Sequence, residues 1–139
     1  MKITEAKSDV EILMCWEVLH ELRPHLEKEK FVSMIKEMMN EGYQLAFVEE
    51  NGTAISAIGF RYLQFLFAGK HFYIDDLVTL PSARKKGCGA ALLDYVFELA
   101  KKNGYKKVTL DSGHHRNDAH RLYLNKGFKI LAHHFVKEI

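Results

Sequence analysis

The sequence predicts a single α/β (α+β) domain over residues 1–139, with a mixed, mostly antiparallel, twisted sheet of about 6–7 strands flanked by about four helices. Three observations support this. The first half of the chain carries strand patterns joined by turn signals, and the second half carries one strand–loop–helix–strand unit. The 139 residues contain no internal repeat or Pro/Gly-rich linker, so nothing divides them into two domains.

The N-terminal part is predicted to form a short strand and two helices. Ile3–Ala6 is a strand candidate. Ser8 or Asp9 can cap a helix whose apolar residues 12, 13, 16, 19 and 22 recur at helical spacing, and Pro24 interrupts it. Apolar residues 31, 35, 38 and 39 predict a second helix that ends before Gly42.

Three strands are predicted next. Tyr43–Glu49 and Thr53–Leu63 flank the dipeptide Asn51-Gly52, which is the strongest short signal for a hairpin turn. A further strand covers about His71–Leu80, and Pro81 ends it because proline cannot donate to the ladder.

The C-terminal part contains the most regular helix. Apolar residues 92, 93, 96, 97 and 100 form one stripe, and Gly104 lies just past the last turn. The remaining predicted elements are a strand at Lys107–Leu110, a helix over Ala119–Lys126 capped by Asn117 or Asp118, and a closing strand or hairpin over Phe128–Val136.

Composition excludes several classes of function. The net charge is only +2, so no general basic surface calls for nucleic acid. The chain has two cysteines, far apart, which is neither a disulfide framework nor a metal knuckle. No apolar run approaches a signal peptide or the ~20 residues of a membrane span. These features predict a cytoplasmic protein without a membrane partner, and they leave a homodimer open.

The segment RKKGCGA, residues 84–90, predicts an anion site. Glycine permits close approach of backbone N–H groups to a ligand, and a helix start adds unpaired N–H groups and the positive end of a dipole. A P-loop is excluded because no G-x-x-x-x-G-K-[ST] occurs. A dinucleotide fingerprint is incomplete because Leu92 stands at the third glycine, although Asp111 occupies the place of a ribose-binding acid. The third alternative is R-x-x-G-x-G/A, with Arg84, Gly87, Gly89 and Ala90.

This third pattern resembles the GCN5-related N-acetyltransferase (GNAT) family. The stretch VTLPSARKKGCGAALLDYVFELAKKNGYKKVTLDS is similar to the central motif of that family, and NDAHRLYLNKGF is similar to its next motif. The tail further resembles the aminoalkylphosphonate N-acetyltransferase-like members. The resemblance implies the GNAT fold, acetyl-CoA as cosubstrate, no metal, and acetyl transfer to the primary amine of a small molecule. Protein or peptide acetylation and a non-catalytic CoA-binding module remain alternatives.

The resemblance also implies site residues. The pyrophosphate would be held by the loop Arg84, Lys85, Lys86, Gly87, Cys88, Gly89 and Ala90. The pantetheine arm would lie along the backbone of Leu77 and Val78, with Asn117 as a further contact. Tyr123 would protonate the leaving thiolate, since a phenol with a pKa near 10 stays neutral at pH 7.

The strand FYIDDLVTL contains two adjacent carboxylates, Asp75 and Asp76. Adjacent strand residues point to opposite faces, so a regular strand would direct one acid toward the core. A β-bulge near Asp76 would resolve this conflict. Either acid is a candidate general base for the substrate ammonium, directly or through water. The histidines at 114, 115, 120, 133 and 134 match no strong metal-ligand spacing, and one of them is an alternative to the aspartates as general base or as a substrate contact.

Overall fold

The turn Asn51-Gly52 joins the second and third strands of the observed sheet. In the computed structural model, which describes residues 1–139, both residues have positive φ angles, 54° and 78°. Such a turn matches the right-handed twist of the strands it joins. It connects β2 (Tyr43–Glu50) to β3 (Thr53–Phe65), and the predicted hairpin is confirmed.

The sheet has five strands in the order β1-β2-β3-β4-β5. β1 (Ile3–Glu5), β2, β3 and β4 (Gly69–Thr79) are antiparallel neighbours. β5 (Val108–Leu110) follows β4 after a crossover helix and is its other neighbour. The α/β class is confirmed, with fewer strands than the predicted 6–7.

The missing strand is the one predicted over Phe128–Val136. The segment from Phe128 to the C-terminus contains no strand, and Ile130, Leu131 and Phe135 are 80, 86 and 91% exposed. A strand is stabilised by ladder hydrogen bonds to a neighbour and by burial of one face. The segment has neither, and its adjacent Ile130-Leu131 pair does not alternate cleanly between two faces.

Five α-helices are present instead of about four: α1 (Asp9–Met14), α2 (Trp16–Leu22), α3 (Lys28–Asn40), α4 (Cys88–Lys102) and α5 (Asn117–Asn125). The extra helix arises because the first predicted helix is divided at Cys15. Of the two predicted caps, Ser8 and not Asp9 is the N-cap of α1, and it forms a capping box with Glu11. No helix is long and apolar enough to cross a membrane.

The chain forms two compact units, Met1–Thr109 and Leu110–Ile139. In the first unit, α2 packs on β3 and β4, and α3 packs on β2 and on α1. α4 packs on β2, β3 and β4 through buried Leu92, Leu93 and Val96. The second unit contains α5 and the C-terminal segment.

Candidate functional site

The loop after β4 forms the start of α4. Pro81–Ala83 makes one turn of 3-10 helix, and Gly87 is the N-cap of α4 with φ 82°. Glycine is required there for its backbone angle, since a β-carbon at Gly87 would meet nothing within 4 Å. Ala91 N–H donates a 3.0 Å hydrogen bond to the Gly87 carbonyl, which closes the first turn of α4. No side chain caps this end, so the N–H groups of residues 87–90 are available to an anion.

The loop separates anchoring side chains from charged ones. Ala83 and Cys88 are buried, 4 and 3% exposed, and attach the loop to the core. Arg84, Lys85 and Lys86 are exposed, and Arg84 Nε donates a 3.4 Å hydrogen bond to the Thr79 carbonyl. Three cations around a bare helix N-terminus can bind a phosphate or pyrophosphate.

The predicted β-bulge is present, with Asp75 as the extra residue. Gly59 of β3 lies opposite Asp76, and the next residue, Phe60, lies opposite Ile74. A bulge residue leaves the ladder and turns the strand locally. Both carboxylates therefore reach the face of the sheet that carries the paired residues Tyr43 and Arg61, which a regular strand would not permit. Leu77 and Val78 follow the bulge, are buried, and pair with β3.

Asp75 is held in an ion pair. Its carboxylate accepts from Arg61 Nε at 3.0 Å and from Arg61 Nη2 at 2.7 Å. Burial raises the pKa of Asp75, and the hydrogen bonds and charge of Arg61 oppose that rise. The same Arg61 guanidinium lies 5.5 Å from the centroid of the Tyr43 ring. Asp75 is thereby committed to an intramolecular partner.

Asp76 has a different environment. Its Oδ2 accepts a 2.9 Å hydrogen bond from the Tyr43 hydroxyl, and its Oδ1 accepts from Arg23 Nε and Nη2 at 3.1 and 2.9 Å. Arg23 Nη2 also donates to the Asp75 carbonyl at 3.2 Å, so it bridges both residues of the bulge. Burial and, to a smaller extent, the negative charge of Asp76 raise the pKa of the Tyr43 phenol well above its usual value, so Tyr43 remains a hydrogen-bond donor.

Asp76 lies at a cavity between helices and sheet. The cavity has a volume of about 300 Å³ and is lined by residues from α2, α3, the connection between them, and the two strands that carry Tyr43 and Asp76. Arg23 is 45% exposed at its rim, whereas the Asp76 side chain is 14% exposed. Asp76 is the one carboxylate of the lining. A ligand amine in this cavity would meet it as the counter-ion.

The predicted residues Tyr123 and Asn117 belong to the second unit. Tyr123 is 7% exposed and packs edge-on against Phe128, with ring centroids 5.8 Å apart. Burial raises the pKa of its phenol, against a smaller opposing effect of Arg116. Asn117 is the exposed first residue of α5; Arg116, not Asn117 or Asp118, is the N-cap, and it makes no side-chain cap bond.

The histidines are not arranged as a metal site. No group of three or more His, Cys, Asp or Glu residues is placed to hold a metal ion. His134 Nδ1 lies 3.5 Å from Asp111 Oδ2. Asp111 is exposed and lies in the second unit.

Sequence reasoning missed Arg23, Tyr43, Gly59 and Arg61. Each acts through a residue distant in sequence, as with the 53 positions between Arg23 and Asp76. One local signal existed. Glycine inside a strand often marks close approach of another group, and a β-carbon on Gly59 would overlap the Tyr43 hydroxyl and ring.

Comparison with known proteins identifies relatives over nearly the whole chain. The profile of the acetyltransferase (GNAT) family matches residues 11–128. An N-acetyltransferase of Bacillus subtilis (strain 168), YhdJ, named as uncharacterized, is 39% identical over 125 residues, 88% of this chain and 87% of its own. The aminoalkylphosphonate N-acetyltransferase of Salmonella typhimurium (strain LT2) is 30% identical over 138 residues, 98% of this chain and 87% of its own.

A solved structure shares the fold at low sequence identity. The aminoglycoside N-acetyltransferase AAC(6')-Iy, crystallised in complex with CoA, superposes with a TM-score of 0.86 at 12% identity, covering 99% of this chain and 93% of that one. The likeness at this identity concerns the fold.

Proposed function

Because this chain belongs to the acetyltransferase (GNAT) family, we propose that it transfers the acetyl group of acetyl-CoA to the primary amine of a small molecule, by direct attack in a ternary complex. The observation that carries this proposal is the strand β4. Its bulge brings Asp76 to a cavity, and the same strand leads directly into the bare N-terminus of α4. One strand thus joins an amine-binding acid to an anion-binding loop.

The cosubstrate fits the loop by its chemistry. In this proposal, the N–H groups of residues 87–90 hold the pyrophosphate, and Arg84, Lys85 and Lys86 supply surrounding positive charge. Cys88 and Gly89 take part through the backbone, since the Cys88 side chain is buried. The backbone of Leu77 and Val78 binds the pantetheine arm, and Asn117 contacts it as well.

Asp76 is the better candidate for the acceptor ammonium and its proton. It lines the cavity and Asp75 does not. Each acid is bound by two nitrogens of an arginine, but Arg23, the partner of Asp76, is 45% exposed, whereas Arg61, the partner of Asp75, is 22% exposed. The amine must lose a proton before its nitrogen can attack the thioester carbonyl, and Asp76 takes that proton directly or through water. We therefore assign Asp75 a positioning role through Arg61.

Tyr123 is proposed as the acid. As the C–S bond breaks, its hydroxyl gives a proton to the sulfur of the leaving thiolate. Burial of the phenol keeps it protonated at neutral pH, which a proton donor needs. Starting from the ammonium, two N–H bonds and the C–S bond break, and one C–N and one S–H bond form. The first proton goes to Asp76 and from there to solvent, and the second, lost from nitrogen after attack, restores the Tyr123 phenol through solvent.

The experiment measures CoA release with acetyl-CoA and a panel of small amines, aminophosphonates, aminoglycosides and peptides. Tyr123→Phe should lower kcat by about 100-fold or more, the usual range for a general acid, while calorimetry shows unchanged affinity for acetyl-CoA. Tyr62→Phe is the matched control because Tyr62 is 39% exposed on β3 and serves no proposed step.

Each outcome decides between the alternatives. Turnover on peptides alone would replace the small-molecule acceptor with a protein. Binding of acetyl-CoA without turnover on any acceptor would favour a non-catalytic CoA-binding module. Equal kcat in Tyr123→Phe and in the native chain would remove Tyr123 as the acid. The cytoplasmic location is a further part of the proposal.

A further inference from the structure

The cavity beside Asp76 is apolar apart from one end. Its lining includes hydrocarbon and thioether side chains from α2, from α3 and from the connection between them, namely Leu19, Leu26, Phe31, Met34, Ile35 and Met38. The four polar residues of the lining are Asp76 and Tyr43, which are hydrogen-bonded to each other, and Arg23 and His25, which are exposed. The cavity therefore presents one carboxylate on a largely apolar surface.

The cations of the lining favour no anionic ligand. The Arg23 guanidinium is occupied by the Asp76 carboxylate and the Asp75 carbonyl. Binding a phosphonate or carboxylate through Arg23 would require breaking those bonds, which would leave Asp76 with Tyr43 alone. His25 is exposed at the outside of the cavity. An acceptor whose remaining part is uncharged and apolar can bind without breaking the hydrogen bonds of Arg23.

The volume limits the size of the acceptor. At about 30 Å³ for each water in the liquid, a cavity of about 300 Å³ holds the equivalent of about ten waters. This is the low end of the range for small-molecule sites. A body of about ten non-hydrogen atoms fills the cavity, whereas most of a whole aminoglycoside would lie outside it.

We propose that the acceptor is a primary amine on an apolar aliphatic, aromatic or thioether body of about ten non-hydrogen atoms, bound with its nitrogen at Asp76 and its body against α2 and α3. This inference rests on the proposed acetyl transfer. Met34 and Met38 lie one turn apart on α3, and their unbranched side chains adapt to ligands of different shape. The cavity therefore discriminates between acceptors by their apolar surface more strongly than by their shape.

The first test compares amines that differ only in apolar length. From n-propylamine to n-hexylamine, kcat/KM should rise about fourfold per methylene, since a buried methylene contributes about 0.8 kcal/mol and 1.4 kcal/mol is tenfold. The total increase is about 50-fold. 2-Phenylethylamine should react at least as well as n-butylamine, and 2-aminoethylphosphonate at least 10-fold less well.

The second test changes the lining itself. Met34→Gln should reduce the hexylamine-to-propylamine ratio of kcat/KM from about 50 to below about 10, because the polar amide removes apolar contact. Leu13→Gln is the matched control, because Leu13 on α1 is similarly exposed (46%, against 40% for Met34) and does not line the cavity. It should leave the ratio unchanged.

The results separate the inference from the function beneath it. A flat dependence on chain length, equal ratios in the two variants, or a preference for aminoethylphosphonate or an aminoglycoside would overturn the apolar acceptor while leaving acetyl transfer intact. Bound acetyl-CoA with no amine acetylated would overturn the proposed function itself and the inference with it.

Discussion

Gly59→Ala tests whether close packing on the sheet determines the geometry of Asp76. A β-carbon at Gly59 would overlap the hydroxyl and two ring carbons of Tyr43, and Tyr43 is 2% exposed. The ring cannot move outward without leaving Asp76, whose Oδ2 accepts its 2.9 Å hydrogen bond. The substitution should therefore both strain the core and break that bond.

The magnitude follows from those two effects. Overpacking of a core lowers the free energy of unfolding by about 1–3 kcal/mol, and loss of a hydrogen bond to a charged group by about 1.5–3 kcal/mol. We expect a decrease of about 3–5 kcal/mol, against a total of about 5–15 kcal/mol for a domain. With an m-value of about 2 kcal/mol/M, the urea midpoint should fall by about 2 M.

Fluorescence of Trp16 is the assay. Trp16 is the only tryptophan, and its ring stacks on His20 at 4.7 Å and packs edge-on against Phe31 at 5.3 Å, all in the first unit. Its signal therefore reports unfolding of Met1–Thr109. Far-ultraviolet circular dichroism at matched urea concentrations checks that the transition is cooperative.

A double-mutant cycle isolates the clash. Leucine at position 43 lacks the hydroxyl and distal ring carbons that the new β-carbon would meet. In the Tyr43→Leu background, Gly59→Ala should lower stability by less than about 1 kcal/mol, giving a coupling of at least about 2 kcal/mol, within the range for contacting residues. Equal losses in both backgrounds would refute the reasoning.

Three further predictions follow from the ionisable groups. Arg61→Gln leaves the half-buried Asp75 carboxylate without its partner and should lower the free energy of unfolding by about 1–3 kcal/mol at pH 7. Burial raises the pKa of Asp75 in the folded state, so protonation of Asp75 favours folding. This stabilisation is complete below the unfolded pKa near 3.9 and is lost as pH rises through the folded pKa. The Arg61→Gln deficit should therefore shrink toward pH 4, and urea titrations showing the same deficit at both pH values would contradict this. Burial also raises the pKa of Tyr123, so its donor form persists above pH 10 and the kcat profile should show no limb from Tyr123 below pH 10; a limb centred below pH 9 that disappears in Tyr123→Phe would count against it. Burial raises the pKa of Cys15 to about 12, so Ellman's reagent at pH 8 should label it only upon unfolding, and stoichiometric labelling of the native protein within minutes would disagree.

Local signals in the sequence predicted the elements that depend on local physics. Asn51-Gly52 favours positive φ angles, and Ser8 favours the N-cap of a helix, whatever the rest of the chain does. The position of the bulge was predictable because two adjacent carboxylates cannot both leave the core from a regular strand. The helix start after Gly87 was also predictable, since glycine and a helix N-terminus act through neighbouring atoms.

Contacts between distant residues could not be predicted from these signals. The pairing of Arg23 with Asp76 depends on where the end of α2 meets β4. The assignment of Arg61 to Asp75 depends on the register of β3 against β4. The prediction of a strand at Phe128–Val136 was wrong for a related reason. The residue pattern there favours a strand, but a strand also requires a neighbouring strand with which to pair.

The bulge makes the two neighbouring carboxylates functionally unequal. It adds one residue to β4, so both acids reach the face that carries Tyr43 and Arg61. Two carboxylates on one face repel each other unless each has its own cation, and the two arginines supply these separately. Arg61 binds Asp75 through two nitrogens on the sheet, whereas Arg23 approaches Asp76 from the exposed rim of the cavity. An ammonium that enters the cavity can bind Oδ2 of Asp76, which accepts from Tyr43, while Arg23 keeps its hydrogen bonds to Oδ1. Asp75 does not line the cavity. This difference in position and partners, and not any difference between the aspartates themselves, makes Asp76 the acid available to a substrate.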